Sequence, residues 1–358
     1  MIKKILITGV GGPTPRSFVR AVKWFGGEVG KLFDFIGADC NPTCYGLYDS
    51  SLFSKTYLVP KASDKNYWNK ISEIIEDNDI DGAIILPEVE VLEWAKDSSK
   101  IRKSIKLHLP DYQFAKKLVN KHSLHLNLKD TDFIPKFYKI DPNDYSYKEL
   151  AETIGDVFWV RATEGSSGLG SLKINSQNAL EQWISINSGV KEFIASEYLP
   201  GRNMACKLLY FNGKLLRTAC AERMEYIMAK VAPSGITGNT SFGRLLNEPQ
   251  LVDNSIKAIE KISADPQSPI NGILTIDYKE NSAGIPKITE INIRHVAFTS
   301  SLAAGGANLP LDTLNAMFLQ NPEEMDVINY EFPEKLIFLR DVDSYPILMR
   351  EEDLKKND

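Results

Sequence analysis

Cysteine is scarce. Four residues, Cys40, Cys44, Cys206 and Cys220, cannot staple a chain of 358 residues, which points to a reducing compartment. Cys40 and Cys44 have the spacing of a metal half-site, but no second half with zinc-like spacing follows, so structural cysteines and no zinc are expected. Long apolar runs are also missing, and no segment approaches the ~20 residues of a membrane span. The stretch 5–10 after Lys3 and Lys4 is broken by Thr8 and Gly9 and lacks a small-residue cleavage site. It does not read as a signal peptide, and a cytoplasmic location without a membrane partner is expected. Nor is there an excess of one charge: 42 Lys plus Arg against 47 Asp plus Glu leave −5, no general attraction for nucleic acid or anionic lipid. Repeats and low-complexity segments are absent. With 43% hydrophobic and 25% charged residues, the composition is that of a globular chain of two or three domains.

Residues 4–8 (KILIT) form a β-branched run ending in Gly9-Val10-Gly11-Gly12-Pro13, after which 16–25 has helical spacing. A second apolar run, 32–38, closes on Asp39, and 82–86 (GAIIL) follows an amphipathic helix over 68–77. Alternating strands and helices predict a parallel sheet covered on both faces, with ligands at the carboxyl ends of its strands. Near residue 110 the pattern changes. A helix is expected over 111–127, a strand from 133, and a strand over 158–161 (FWVR) before another glycine loop. From 194 onward strands dominate: 194–198, the hairpin 205–211 and 215–219 around Asn212-Gly213, then 272–278 and 287–293. The expected division is an α/β domain over 1–110, a small α+β lobe over 111–193, a mostly antiparallel large lobe over 194–320, and a C-terminal extension over 321–358.

Three segments could carry chemistry. The first glycine turn lacks the third glycine of G-x-G-x-x-G and runs into Pro13, which weakens a dinucleotide reading. A purely geometric turn, or a helix start whose N–H groups hold an anionic substrate at Gly11 and Gly12, are the alternatives. The second loop, 161–171, exposes Gly165, Ser166, Ser167, Gly168 and Gly170 after Arg161. It can close over phosphates or serve as a flexible turn, and it is not a Walker A loop, since no G-K-[ST] follows. The third segment is a strand in which Glu290, Asn292 and Arg294 alternate opposite Asp277, which closes another strand. Period-2 geometry places all three on one face, with Ile288 expected to point the same way. Two carboxylates and an amide oxygen suit Mg²⁺ and the phosphate oxygens it carries, with Arg294 placed to neutralise a transferring phosphoryl group. The plain alternative is a solvated strand face.

The order of these segments over about 1–320 resembles the ATP-grasp superfamily, in its branch of carbamoyl-phosphate synthase large subunits and carboxylate–amine ligases. Asn120-Lys121 before Ile134-Pro135-Lys136-Phe137 matches the helix-start lysine, and Arg161 the second basic residue of the phosphate site. Glu197-Tyr198-Leu199-Pro200-Gly201-Arg202 matches the adenine hinge, and Asp277 with Glu290, Asn292 and Arg294 matches the magnesium motif. Two positions depart from the pattern: Asn203 replaces an acid that helps bind ribose, and His295 follows the arginine. The resemblance implies a parallel-sheet domain followed by a two-lobed α+β domain that binds ATP and one or two Mg²⁺, with Mn²⁺ an alternative. ATP would be held by Lys121, Arg161, the glycine loop, Glu197, Tyr198, Leu199 and Asn203, and the metal by Asp277, Glu290 and Asn292. It implies transfer of the γ-phosphoryl to a carboxylate, with Arg294 as catalytic residue, then attack on the acyl phosphate by an amine. Glu88 or Glu90 is expected to bind that amine, and Gly11, Gly12 and Arg223 to line the substrate side. A kinase or carboxylase on the same fold, a nucleotide sensor and an NAD-dependent oxidoreductase are the competing classes. Small-molecule substrates are the expected partners, and a homodimer is compatible with the pattern.

Overall fold

The computed structural model describes residues 1–101, 104–165, 170–263, 268–341, 347 and 349–356. Three sheets organise them. The first is parallel, in the order β3-β2-β1-β4-β5, with β1 Lys3–Thr8, β2 Phe33–Asp39, β3 Lys55–Leu58, β4 Gly82–Ile84 and β5 Lys106–Leu107. Its central strands are apolar on both faces: Ile5 and Ile7 pack with Phe18 and Val22 of the helix Pro13–Phe25, while Leu6 packs with Ile71 and Ile74 of the helix Tyr67–Asp77. That is the covered parallel sheet the alternation predicts. The order reverses direction between β1 and β4, and open sheets of this kind bind ligands at such a switch point.

The second sheet is antiparallel, in the order β6-β9-β7-β8, with β6 Phe137–Ile140, β7 Phe158–Ala162, β8 Leu172–Ile174 and β9 Phe193–Glu197. It has a core of its own, Ile140, Leu150, Phe158, Val160, Leu180 and Phe193 among others. The third sheet runs β14-β13-β10-β11-β12-β16, all antiparallel, and β15 pairs parallel with β11. Its strands are β10 Asn203–Phe211, β11 Lys214–Tyr226, β12 Thr240–Leu246, β13 Gly272–Glu280, β14 Pro286–Asn292, β15 Ile328–Asn329 and β16 Ile337–Leu339.

Several local expectations change. The helix expected over 111–127 is two helices, Tyr112–Val119 and Lys121–Leu128, because Asn120 is extended and its side chain caps the second by accepting from the N–H of Ser123. The strand expected from 133 begins at Phe137; Phe133 instead gives its carbonyl to the N–H of Ile288 across the lobes. The sheets divide after Glu197, not at 193, because β9 pairs with β6 and β7. Within the expected C-terminal extension, β15 and β16 join the third sheet. Strand β13 does not close at Asp277 but continues to Glu280.

Candidate functional site

The acidic cluster sits where β13 and β14 pair, with Asp277 opposite Glu290. The register slips between Asp277 and Tyr278, whose partner is Ile288, so Thr289 is an extra residue on β14. This bulge corrects the expected facing of Ile288. One inserted residue flips the parity, so Ile288 joins Ile291 and Ile293 in the core while Glu290 and Asn292 face the cleft. Thr289, without a partner opposite, gives its carbonyl to Arg161 Nη2 at 3.0 Å, and its hydroxyl donates to the carbonyl of Asp277 at 3.1 Å.

Asn292 Nδ2 bridges the two carboxylates, 3.3 Å from Asp277 Oδ2 and 3.2 Å from Glu290 Oε1. Arg223 Nη2 donates to Asp277 Oδ1 at 2.5 Å, and Lys121 Nζ lies 3.6 Å from Glu290 Oε2. The two acids are set apart electrostatically. Burial pushes Asp277 up to about 6 although Arg223 opposes it. Burial also acts on Glu290, but Lys121, Arg161, Arg223 and Arg294 together outweigh it and hold that carboxyl below its ordinary value. Both carboxylates are hard oxygen donors, and Mg²⁺ keeps places for water and phosphate beside one or two of them. Among the described residues, Nε of Arg161, Arg223 and Arg294 are buried without a hydrogen-bond partner, so cationic donors stand unused around the same spot. The residues present fit a metal-bound polyphosphate.

Two cavities meet here. One, of about 830 Å³, runs from Lys121, Arg161 and Gly165 past the acid pair to Glu197, Tyr198, Leu199 and Asn203. Lys121 starts its helix and donates to the carbonyl of Gly165 at 2.8 Å, tying the start of the glycine loop to the end of the cavity nearest Glu290. At the far end the N–H of Lys136 donates to Glu197 Oε2 at 3.3 Å, and Lys173 Nζ sits 4.0 Å from the Tyr198 ring centre. Leu199, 4% exposed, lines the same end of the cavity as Tyr198. Gly201 lies against β13, its N–H donating to the carbonyl of Glu280 at 2.9 Å. Gly170 lies outside the lining and accepts from Trp183 Nε1 at 3.1 Å. Ser166, Ser167 and Gly168 lie outside the described residues.

The second cavity, about 720 Å³, opens at the switch point of the parallel sheet. Gly12 follows β1, Asp39 ends β2, and Pro87 and Glu90 follow β4, while Arg223, Asp277, Glu290, Asn292 and Arg294 form the opposite wall. Gly9 has a φ of +68° and a Cβ there would come within 2.3 Å of Pro87 Cγ, so only glycine turns the chain at this point. The expected role of Gly11 and Gly12 as anion-holding N–H groups is corrected by the hydrogen bonds: Gly11 donates to Asp39 Oδ2 at 2.7 Å and Gly12 to the carbonyl of Gly9 at 3.0 Å. Pro13 and Pro15 have no N–H to offer, which leaves this helix start fewer free donors than most. Glu90 is buried, accepts from Tyr67 Oη at 3.1 Å and is pushed up to about 7 by burial against bonds from Thr8 and Tyr67. Glu88 is also raised, by burial first, and its charged neighbours are Arg294, Glu290, Lys121 and Glu164, which lie toward the acid pair and not toward Glu90.

Arg223, expected on the acceptor side, lines both cavities and is paired with Asp277. The sequence reading passed over Asp39, though its place at the carboxyl end of an expected strand was a usable signal. Lys207 was not visible at all: it is fully buried behind the cluster, 4.8 Å over the Phe298 ring, and pulled well below its ordinary value by burial and then Arg223.

No family model matches the chain, and no curated protein matches it. Solved structures do. The L-amino acid ligase from Bacillus licheniformis superposes with a TM-score of 0.63 at 13% identity, over 88% of this chain and 74% of that one. The N5-carboxyaminoimidazole synthetase from Staphylococcus aureus complexed with ADP gives 0.64 at 15%, over 94% and 80%. A biotin carboxylase complex with β-γ-ATP from Campylobacter jejuni gives 0.63 at 15%, over 91% and 74%. The chain has the ATP-grasp fold. Among the described residues, no helix is long and apolar enough to cross a membrane.

Proposed function

We propose that this ATP-grasp protein is an ATP-dependent ligase that activates a small carboxylate as an acyl phosphate and joins it to an amine. The observation that carries the reading is the meeting of the two cavities at Asp277 and Glu290, which line both. One cavity has the shape and donors for a nucleotide. The other is lined by Asp39, Glu90, Glu93 and Lys61 on the parallel-sheet side and by Arg223, Arg294, Asp277 and Glu290 on the other. We place the substrate carboxylate against Arg294, which has a buried Nε without a partner among the described residues, and a cationic amine against Asp39 and Glu93.

Lys121 and Arg161, both buried beside Glu290, hold the triphosphate, and the hinge at Tyr198 and Leu199 holds the base. Asp277, Glu290 and Asn292 would hold Mg²⁺, which supplies charge neutralisation on the phosphate oxygens when bound. A carboxylate oxygen of the substrate attacks the γ-phosphorus and the bond to ADP breaks. Arg294 and Arg223 face the cavity in which the new acyl phosphate lies, where they offset its charge. The amine then attacks the acyl carbon, phosphate leaves with the bonding pair, and the nitrogen gives up a proton. Positioning and charge account for this chemistry without a protein nucleophile.

The test is a screen for ADP and phosphate release with MgATP across amino acids and other carboxylates, each with and without amines. A carboxylate that releases phosphate only with an amine is the expected result. A phosphorylated product stable without an amine would make the protein a kinase, and no release with any carboxylate would reject the ligase reading. In the same assay Glu290→Gln is expected to lower kcat/KM by at least about a hundredfold with the fold intact by circular dichroism.

A further inference from the structure

Asn292 faces the acid pair with the wrong end of its amide for a metal ligand. Its N–H2 group donates to both carboxylates, 3.3 Å from Asp277 Oδ2 and 3.2 Å from Glu290 Oε1. A hard cation between those carboxylates takes oxygen and repels an N–H group, so the amide has to turn and present Oδ1. The terminal torsion of asparagine is broad and two-fold, which makes that turn easy. It also takes the N–H2 off both acids. Asn292 is only 5% exposed, so an N–H group left there without an acceptor is costly.

An acceptor stands beside it. Thr275 is the residue opposite Asn292 in the pairing of β13 with β14. Residues paired in this way point to one face with Cβ atoms about 4.5–5.5 Å apart, close enough for their side chains to hydrogen-bond. Thr275 is fully buried, lines neither cavity of the cleft, and its Oγ1 has no hydrogen-bond partner among the described residues. A hydroxyl in that state destabilises the fold, whereas a valine of the same outline does not. Lys207 pairs with Thr275 on its other side, in β10, and its Nζ is likewise buried without a partner. Lys207 is one strand further from Asn292, and a lysine accepts a hydrogen bond only after losing its proton, while a hydroxyl accepts at any pH. Of the two idle groups, the hydroxyl is the one that can take the N–H2.

We propose that Thr275 is a positioning residue whose hydroxyl accepts from the Asn292 amide when that amide turns its oxygen toward the cation. This role rests on the reading of Asp277, Glu290 and Asn292 as the metal site. The hydroxyl is idle without metal and bonded with it. Its removal therefore lowers metal affinity and leaves the metal-free fold no less stable.

The test is titration of Mn²⁺ into the full chain carrying one equivalent of a non-hydrolysable ATP analogue, followed by electron paramagnetic resonance, with the analogue alone as blank. Thr275→Val should weaken Mn²⁺ binding about tenfold. Its melting temperature without metal should be no lower than that of wild type. Thr275→Ser keeps the hydroxyl and should keep the affinity, and Thr275→Ala covers the case in which the valine variant does not fold. In an Asn292→Asp background no N–H2 needs an acceptor, so there Thr275→Val should cost no further affinity. Wild-type affinity in Thr275→Val, a loss in Thr275→Ser equal to that in Thr275→Val, or an equal loss in the Asn292→Asp background would overturn the proposal. If wild type binds no Mn²⁺ beyond the blank, the metal reading fails and the role of Thr275 with it, a result distinct from Mn²⁺ binding that Thr275→Val leaves unchanged.

Discussion

Glu90 shows how one buried carboxyl ties stability to pH. Its carboxyl is pushed from an ordinary 4.5 to about 7, with burial the largest cause. The sign follows from linkage. Below pH 4.5 the group is protonated in both states and contributes nothing. Between 4.5 and 7 the unfolded chain ionises while the folded one holds its proton, so stability falls as pH rises, and above 7 the penalty is constant. Glu90→Gln keeps an acceptor for Tyr67 Oη and removes that penalty. Relative to wild type it should be no more stable at pH 4.5 and more stable at pH 8 by on the order of 3 kcal/mol, read from urea midpoints. A gap that does not change with pH would show that Glu90 is not held protonated by burial. At this scale the resemblance singled out Lys121, Arg161 and Glu290, and the fold brings the three to one cavity. The sequence was silent where the partner decides the role, as at Arg223, whose pairing with Asp277 spans 54 positions.

At the level of elements, the site depends on two departures from regularity. The bulge at Thr289 aims Glu290 into the cleft, and the hinge after β9 is held against β13 by Gly201 and Arg202, whose N–H donates to Glu280 Oε2 at 3.1 Å. A Cβ on Gly201 would come within 2.5 Å of Glu280 Cβ and 3.0 Å of its carbonyl oxygen. Gly201→Ala must therefore push the hinge off the sheet, at a cost of about 1–3 kcal/mol. We expect a lower melting temperature together with weaker binding of an ATP analogue by calorimetry; weaker folding with unchanged nucleotide affinity would show that the hinge does not read the base. Neither device was legible beforehand for a common reason. Alternation of apolar and polar residues gives the faces of a strand, but a bulge exists only in the register of two strands. The break at Asn120 was different: an asparagine before a lysine-led helix is a local cap signal, visible in sequence and outweighed by the longer apolar period.

Across the whole molecule, the cores divide the chain differently from its sheets. Leu314 and Met317, on the helix Leu309–Phe318, pack into the core of the parallel sheet with Ile5, Ile7 and Phe18, while Leu309 and Ala316 of the same helix pack under the third sheet. Lys106 Nζ donates to the carbonyl of Met317 at 2.6 Å, and His108 stacks on Phe211 at 4.1 Å. These contacts bind the first and third sheets together, and such long-range packing left no trace in local pattern. The second sheet keeps a core to which neither contributes. We propose two mechanical units: the first and third sheets as one body, and the second as a lobe that closes on the nucleotide. Leu314→Ala should cost about 2–5 kcal/mol, since the side chain is fully buried between two elements that cannot both collapse onto the gap. Hydrogen exchange should then quicken together in β1, β4 and β10 and leave β7 and β9 unchanged. Leu180→Ala, in the core of the second sheet, should do the reverse. Exchange that quickens in all three sheets for both variants would mean a single cooperative body, and closure of the cleft would then require a local hinge and not the movement of a lobe.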